Sequence, residues 1–267
     1  MFIAVHYRCP MEHFLTIVGI GVIGGALSGL LGIGGGIVTA PLLLYLPPAL
    51  GQAPLSMHAV SGLTMTQAFF AGLLGTAAHG RDGTVDRKLV AVMAAAVFVA
   101  SLAGAAGSKQ LDHEVLLGIF AVVALAAALL LLSPRLPGDG AGYRIGSFSV
   151  PRAAGIASAV GLLGGLVGQG GSFLLIPAVV AGLRVPMRVA MSSNLPIVVF
   201  ASAAGFLGKV LTGQVPTVLA IALIAGTAPA SFLACRLSRR APAGALRVGL
   251  GCLILLVCAR MLWDLSR

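Results

Sequence analysis

The chain has 267 residues, 58% hydrophobic and only 9% charged, with a mean hydropathy of +1.05 and a formal net charge of +10. Soluble domains carry about 25% charged residues, so no water-soluble fold hides this much apolar surface, and an all-α polytopic membrane protein is expected. The basic residues sit singly or in small groups between apolar runs, which is the pattern of loops facing anionic lipid and cytoplasm, not of a nucleic-acid surface.

Arg8 and Glu12 precede an apolar stretch much longer than the ~7 to 15 residues of a secretory h-region, so the N-terminus is read as mature protein. From His13 to Gly80 there is no Asp, Glu, Lys or Arg, and a bilayer crossing needs roughly 20 such residues. This stretch is broken at GIGGGIVTAP, Gly32 to Pro41, where consecutive glycines and a following proline oppose a continuous helix. A span carrying Ser61, Thr64, Thr66 and Gln67 comes next, with His58 and His79 at its two ends. Charge-free runs Leu89 to Ser108 and Val115 to Pro134 complete a first half. The Pro- and Gly-rich segment Ser133 to Arg152 reads as an aqueous linker. A second broken segment, Ala153 to Leu183, is interrupted at GQGGSFLLIP, and Val189 to Gly208 then carries Ser192, Ser193 and Asn194. Val210 to Cys235, the basic stretch Arg236 to Arg247 and a last span from near Gly249 end the chain.

The two breaks belong to an internal duplication. GALSGLLGIGGGIVTAP, from Gly25, aligns without gaps to GLLGGLVGQGGSFLLIP, from Gly161, at a constant offset of 136 residues. Residues 1–133 and 153–267 are thus expected to be two transmembrane repeats, with 134–152 a cytoplasmic linker. Each repeat is read as a broken or re-entrant Gly-rich hairpin plus three transmembrane helices. If every segment crossed once, the 17 Lys and Arg would divide ten against seven. If both broken segments double back, one side keeps only Arg8, Lys109, Lys209, Arg260 and Arg267 and the other holds the remaining twelve, which is the bias that cytoplasmic loops carry. Three net crossings per repeat make the repeats inverted, with both termini periplasmic in a bacterial-type inner membrane.

Non-helical backbone at membrane depth is tolerated only where protein or a water-filled cavity surrounds it. Gly34, Gly35 and Gly36, with Gln169, Gly170, Gly171 and Ser172, are therefore candidate site residues: the half-helix after each break offers free amides at the positive end of its dipole, suited to an anion. Ser61, Thr64, Ser192 and Ser193 are candidates beside them, although hydroxyls also bond back to their own helix. Gln67, Gln169 and Asn194 lack that local outlet and are the expected donors to substrate oxygens. Lys209 and Arg184, near span ends, are expected to snorkel, with steering of an anion the weaker reading. His58 and His79 are expected to be interfacial. Cys9, Cys235, Cys252 and Cys258 show no CxxC spacing and are assigned no chemistry.

No carboxylate falls inside a predicted span, which speaks against a cation cargo and against coupling through a buried acid. No HExxH, GxSxG, paired Asp or Walker A motif is present, so neither an enzyme nor an ATP-driven pump is expected, and no cofactor or metal site is read.

The paired motifs GLLGIGGGIVTAP and GLVGQGGSFLLIP, each followed by a polar segment, AVSGLT or AMSSNL, resemble those of the TauE/SafE family over nearly the whole chain. That resemblance implies movement of sulfite or other organosulfur anions, with Gly34, Gly35, Gly170, Gly171 and their polar neighbours forming a central site. The expected function is a secondary transporter or facilitator for a small anion, sulfite or an organosulfonate first. The alternatives are an uptake permease or channel for thiosulfate or sulfate, and a membrane assembly protein whose glycines only pack helices. The expected partners are the anion and the lipid bilayer; a homo-oligomer is compatible with the sequence, and no nucleic acid is expected.

Overall fold

The structure, a computed structural model, describes residues 11–31, 36–79, 85–132, 143 and 145–238. Among them the fold is entirely helical: α1 (Met11–Leu31), α2 (Gly36–Ala49), α3 (Met57–His79), α4 (Arg87–Gly107), α5 (His113–Leu132), α6 (Val150–Val167), α7 (Ser172–Leu183), α8 (Met187–Leu211) and α9 (Thr217–Ser238), with a short 3-10 turn at Ser108–Gln110. Five helices are long and apolar enough to cross a bilayer, those built on α1, α4, α6, α8 and α9. The 23 residues of α3 are long enough to cross too, but they carry the polar run Ser61 to Gln67 and lie outside that set. The last expected span lies outside the described residues.

Glycine sets which helices touch. On α6, Gly161 faces Val97 and Gly165 faces Ser101 and Ala105, so an added Cβ at either would meet α4 backbone. On α1, Gly21, Gly25 and Gly29 lie in the same way against Leu223, Thr227 and Ser231 of α9. Lipid tails are as apolar as leucine, so helix association in a bilayer depends on such close backbone approach. Both pairs are parallel, since residue numbers rise together along each seam. Beside α4, α8 is parallel as well: Ser193 lies at Asp86, Gly205 at Ser101 and Gly208 at Ala105. α3 runs antiparallel to α8, with Ser61 at Lys209, Met65 at Gly205 and Gly72 at Val199.

These seams define two ends of the bundle. At one end lie Gln214 and the α8–α9 turn, the start of α3, and the end of α4. At the other lie Asp86, Tyr143 and Gly146 of the linker, and the first turns of α6 and α8. α1 and α2 are antiparallel, with Thr39 facing Gly24 and the Gln52 amide donating to the Thr16 hydroxyl at 2.8 Å. Both arms of that first broken segment therefore meet the Gln214 end. α6 leaves the Asp86 end and α8 starts there, so α7 carries the chain back, and the second broken segment meets the Asp86 end at both of its termini.

Asp86 explains how α4 begins. Its extended backbone places the carboxylate over the first turn, where Oδ1 accepts from the amides of Lys88 and Leu89, both at 3.1 Å, and satisfies two orphan donors. Pro151 sits in the first turn of α6, where its missing N–H is not needed.

Candidate functional site

The second break is a tight, wholly buried corner. Gly168 ends α6 with φ +84, and the amides of Gly168 and Gln169 both donate to the Gly164 carbonyl at 2.9 Å, closing the helix in a left-handed cap. Gly170 and Gly171 continue with φ +62 and +69, and Gly171 opens α7 without a side-chain cap. Three of four successive residues thus occupy backbone space that a Cβ disfavours. A Cβ at Gly168 would meet the Ser61 carbonyl and one at Gly171 the Val160 carbonyl, so neither corner position has room. The first break falls between the end of α1 at Leu31 and the start of α2 at Gly36. Gly34 and Gly35 lie outside the described residues.

The two breaks face each other. The Gln169 amide donates to the Gly36 carbonyl at 3.3 Å, while its Oε1 has no hydrogen-bond partner among the described residues. An added Cβ at Gly36 would be 3.3 Å from Gln169 Cγ, so the two residues pack closely. Thr64 Oγ1 stands 2.7 Å from the Gly168 carbonyl and within reach of the Val60 and Ser61 carbonyls of its own helix, which ties α3 to the corner. Gln67 is fully buried one turn along α3, beside Gly24 of α1 and Thr39 of α2, and neither amide atom is bonded among the described residues. A buried side-chain amide with no partner among the described residues is costly and rare. Thr66 donates to the Gly62 carbonyl at 2.8 Å, the local outlet expected of a hydroxyl.

Ser193 does not join that point. Ser193 accepts at Oγ from the Asp86 amide at 3.1 Å, near the end of the bundle opposite Gln214. Asn194 is buried on the next position, and Ser192 is half-buried beside it. Ser172 opens α7, and its side chain is not described. Arg184 is exposed, as expected, and caps α7 with φ +55. His58 stands at the start of α3 within 3.1 Å of the Leu111 carbonyl, and His79 ends that helix. Cys235 is buried in α9, and the other three cysteines lie outside the described residues.

Lys209 corrects an expectation. Far from snorkelling, it is fully buried, with Nζ 2.8 Å from Ser61 Oγ, 2.6 Å from Ser108 Oγ, 3.0 Å from Gln214 Oε1 and 3.3 Å from the Leu166 carbonyl. Its place two residues from the end of α8 suggested an outward path. The helix instead turns that face toward α3, α4 and α6, and three polar side chains from separate segments close over the ammonium.

Asp86 is the buried acid outside the spans. Burial works against its charge, but the amides of Leu89 and Gly146, the Tyr143 hydroxyl and the Lys88 amide outweigh that and hold the carboxyl below its ordinary value. Tyr143, 2.8 Å away through its hydroxyl, is pushed the other way by its own burial and by that neighbouring negative charge. The linker is tied to the mouth of α4 by this pair.

Five helices able to span a bilayer, packed on glycine seams around two facing helix interruptions, define a multi-pass helical membrane protein. The chain belongs to the family described as Sulfite exporter TauE/SafE, which it matches over residues 17–261. It is 31% identical over 232 residues to a Bacillus subtilis (strain 168) protein named Probable membrane transporter protein YunE, covering 80% of this chain and 84% of that one. A Xylella fastidiosa (strain Temecula1 / ATCC 700964) protein named Probable membrane transporter protein is 26% identical over 69% of each chain. A second Bacillus subtilis relative, Probable membrane transporter protein YdhB, is 23% identical over 82% of this chain and 87% of its own. No solved structure matches the chain.

Proposed function

We propose that the protein is a secondary transporter or facilitator for a small oxyanion, sulfite or an organosulfonate first, with its site between the two helix breaks. The observation that carries this reading is the meeting of Gln169 with Gly36, beside the unbonded amide of Gln67. Side-chain amide N–H groups and the first turns of α2 and α7 offer donors and no formal negative charge, which suits an anion that must exchange water for protein. Gly34, Gly35, Gly36, Gly170, Gly171 and Ser172 would contribute backbone, and Ser61, Thr64, Gln67, Gln169, Ser192, Ser193 and Asn194 the polar surround along the path. The family description and the relatives' names support transport, and the sulfite reading extends the family description to this chain.

The proposal includes two inverted repeats, residues 1–133 and 153–267, joined by a cytoplasmic linker at 134–152. It is supported by the broken pair α1–α2 meeting one end of the bundle and α6–α7 the other, and by the matched parallel seams α1–α9 and α4–α6. Each broken pair is then a re-entrant hairpin in a bacterial inner membrane, with both termini periplasmic. Rocking of the repeats about the breaks would expose the site alternately to the two sides.

The test is flux in liposomes holding purified protein, across sulfite, thiosulfate, sulfate and an organosulfonate. Saturable movement of at least one is expected. Absence of saturable flux for all of them would leave the assembly-protein reading in its place.

A further inference from the structure

Lys209 places its amine inside the bundle, where its hydrogen-bond partners are four neutral oxygens. Those oxygens are arranged for an ammonium. The Ser61 hydroxyl donates to the His58 carbonyl at 2.9 Å and the Ser108 hydroxyl to the Ala105 carbonyl at 2.7 Å, so both turn lone pairs toward Nζ. Gln214 uses its amide nitrogen on Thr212 Oγ1 at 2.7 Å, and Thr212 gives its own hydrogen to the Gly208 carbonyl, which leaves Gln214 Oε1 facing the lysine. Three short acceptors match three N–H donors. The hydrogen bonds are satisfied, yet among the described residues no carboxylate stands beside Nζ to compensate a positive charge.

An ionisable side chain in this setting is expensive, and apolar side chains of similar volume would hold the same helices together at least as well. The charge therefore needs a reason that packing does not supply. The fourth partner indicates where one enters. The Leu166 carbonyl is the longest contact, at 3.3 Å, and it lies in the last turn of α6, two residues before the Gly168 corner. Ser61 bridges the two features: its hydroxyl holds Nζ, and its backbone lies against Gly168. An anion arriving at the corner thus meets Nζ by displacing its weakest contact.

We propose that the Lys209 ammonium is the counter-charge of the transported oxyanion, held by Ser61, Ser108 and Gln214 until the anion replaces the Leu166 carbonyl. This deepens the transport reading and rests on it. The ligand class follows from the chemistry: a compact anion with exposed oxygens, able to accept a charge-assisted hydrogen bond from Nζ.

The experiment compares the wild type, Lys209→Met, Lys209→Arg and Ser108→Ala in liposomes, with 35S-labelled sulfite, thiosulfate and sulfate as probes, and follows melting of each purified protein with and without those anions. The expected result is loss of flux, or a KM raised by about 10- to 100-fold, in Lys209→Met, the range that a charge-assisted bond accounts for. Lys209→Arg should retain flux. Ser108→Ala should raise KM, because it removes the shortest of the three contacts that hold Nζ toward the corner, and this arm decides the matter should Lys209→Met fail to fold. Wild-type KM in Lys209→Met, or an unchanged or lowered KM in Ser108→Ala, would overturn the inference. If the wild type moves none of the three anions, the transport reading fails by itself. An anion-induced rise in melting temperature in the wild type and not in Lys209→Met would then still uphold the site, and equal shifts or none would overturn it.

Discussion

Gln169 and Gly36 lie 133 residues apart in sequence and touch in the buried interior, the amide of one donating to the carbonyl of the other at 3.3 Å. Gln169 follows the end of α6 and Gly36 opens α2, so this contact joins the two halves of the chain beside their interruptions. A bond this long between buried groups is readily exchanged for a better one. The free Oε1 of Gln169 shows that the surrounding residues described here do not use the amide fully.

Gln169→Leu keeps the volume roughly constant and removes the amide. It is expected to insert and fold, since the lost bond contributes only about 1 kcal/mol, but to lower flux by at least about tenfold if the amide binds the anion. Gln169→Glu should be worse than Gln169→Leu, because it sets a negative charge against an anion. Uptake in liposomes, normalised to inserted protein, checks the order; Gln169→Glu matching wild type would remove Gln169 from the site.

The corner glycines should respond differently from the amides. Gly168→Ala forces a Cβ onto the Ser61 backbone at φ +84, and Gly171→Leu does the same against Val160 at φ +69. Left-handed backbone alone costs a non-glycine residue about 1–2 kcal/mol, and the backbone clash adds to it. Both variants should melt below wild type and lose transport. Gly155→Ala, in α6 where an added Cβ meets nothing within 4 Å, should lose neither.

How much of this was legible in the sequence follows from what each signal encodes. The interruptions were readable because glycine runs act locally, and Gly168, Gly170 and Gly171 do take left-handed backbone; the prolines expected to help break the helix, Pro41 and Pro177, instead lie inside α2 and α7. The neighbourhood of Ser61 and Thr64 with the second break crosses between repeats, and the duplication alone did not reveal it. Ser193 was grouped with Asn194 by adjacency, yet neighbouring helix residues point about 100° apart, and Ser193 faces Asp86 instead. Lys209 was misread for a related reason. Distance from a helix end says how far a side chain must reach to water, not which way the helix faces, and its oxygens come from Ser61, Ser108 and Gln214, none adjacent to it in sequence.

Asp86 gives a stability difference with a definite sign. Its folded carboxyl titrates below the ordinary value of 3.8, so the charged form stabilises the fold. That contribution is present above the unfolded value and is lost as pH falls through the folded one. Asp86→Asn retains capping ability but not the charge. Its apparent melting temperature should lie below wild type at pH 7, and the gap should close as pH falls below about 4. A gap that stays constant from pH 7 to pH 3 would mean that the carboxylate charge contributes nothing.

The sidedness of the bundle can be decided with two exposed positions. Leu50 follows α2 at the Gln214 end, and Ile145 stands in the linker at the Asp86 end. If the broken pairs double back, α3, α4 and α5 are the three net crossings that separate these ends, and the positive-inside bias puts Ile145 in the cytoplasm. Single cysteines are introduced as Leu50→Cys and Ile145→Cys after replacement of the four native ones. In intact cells an impermeant maleimide should label Leu50→Cys and spare Ile145→Cys, and lysis should expose the second. Labelling of both from outside would mean that one of α3, α4 and α5 does not cross, leaving an even number of crossings between the two positions. The second repeat would then start from the same face as the first, the repeats would no longer be inverted, and alternation about a shared centre would lose its geometric basis.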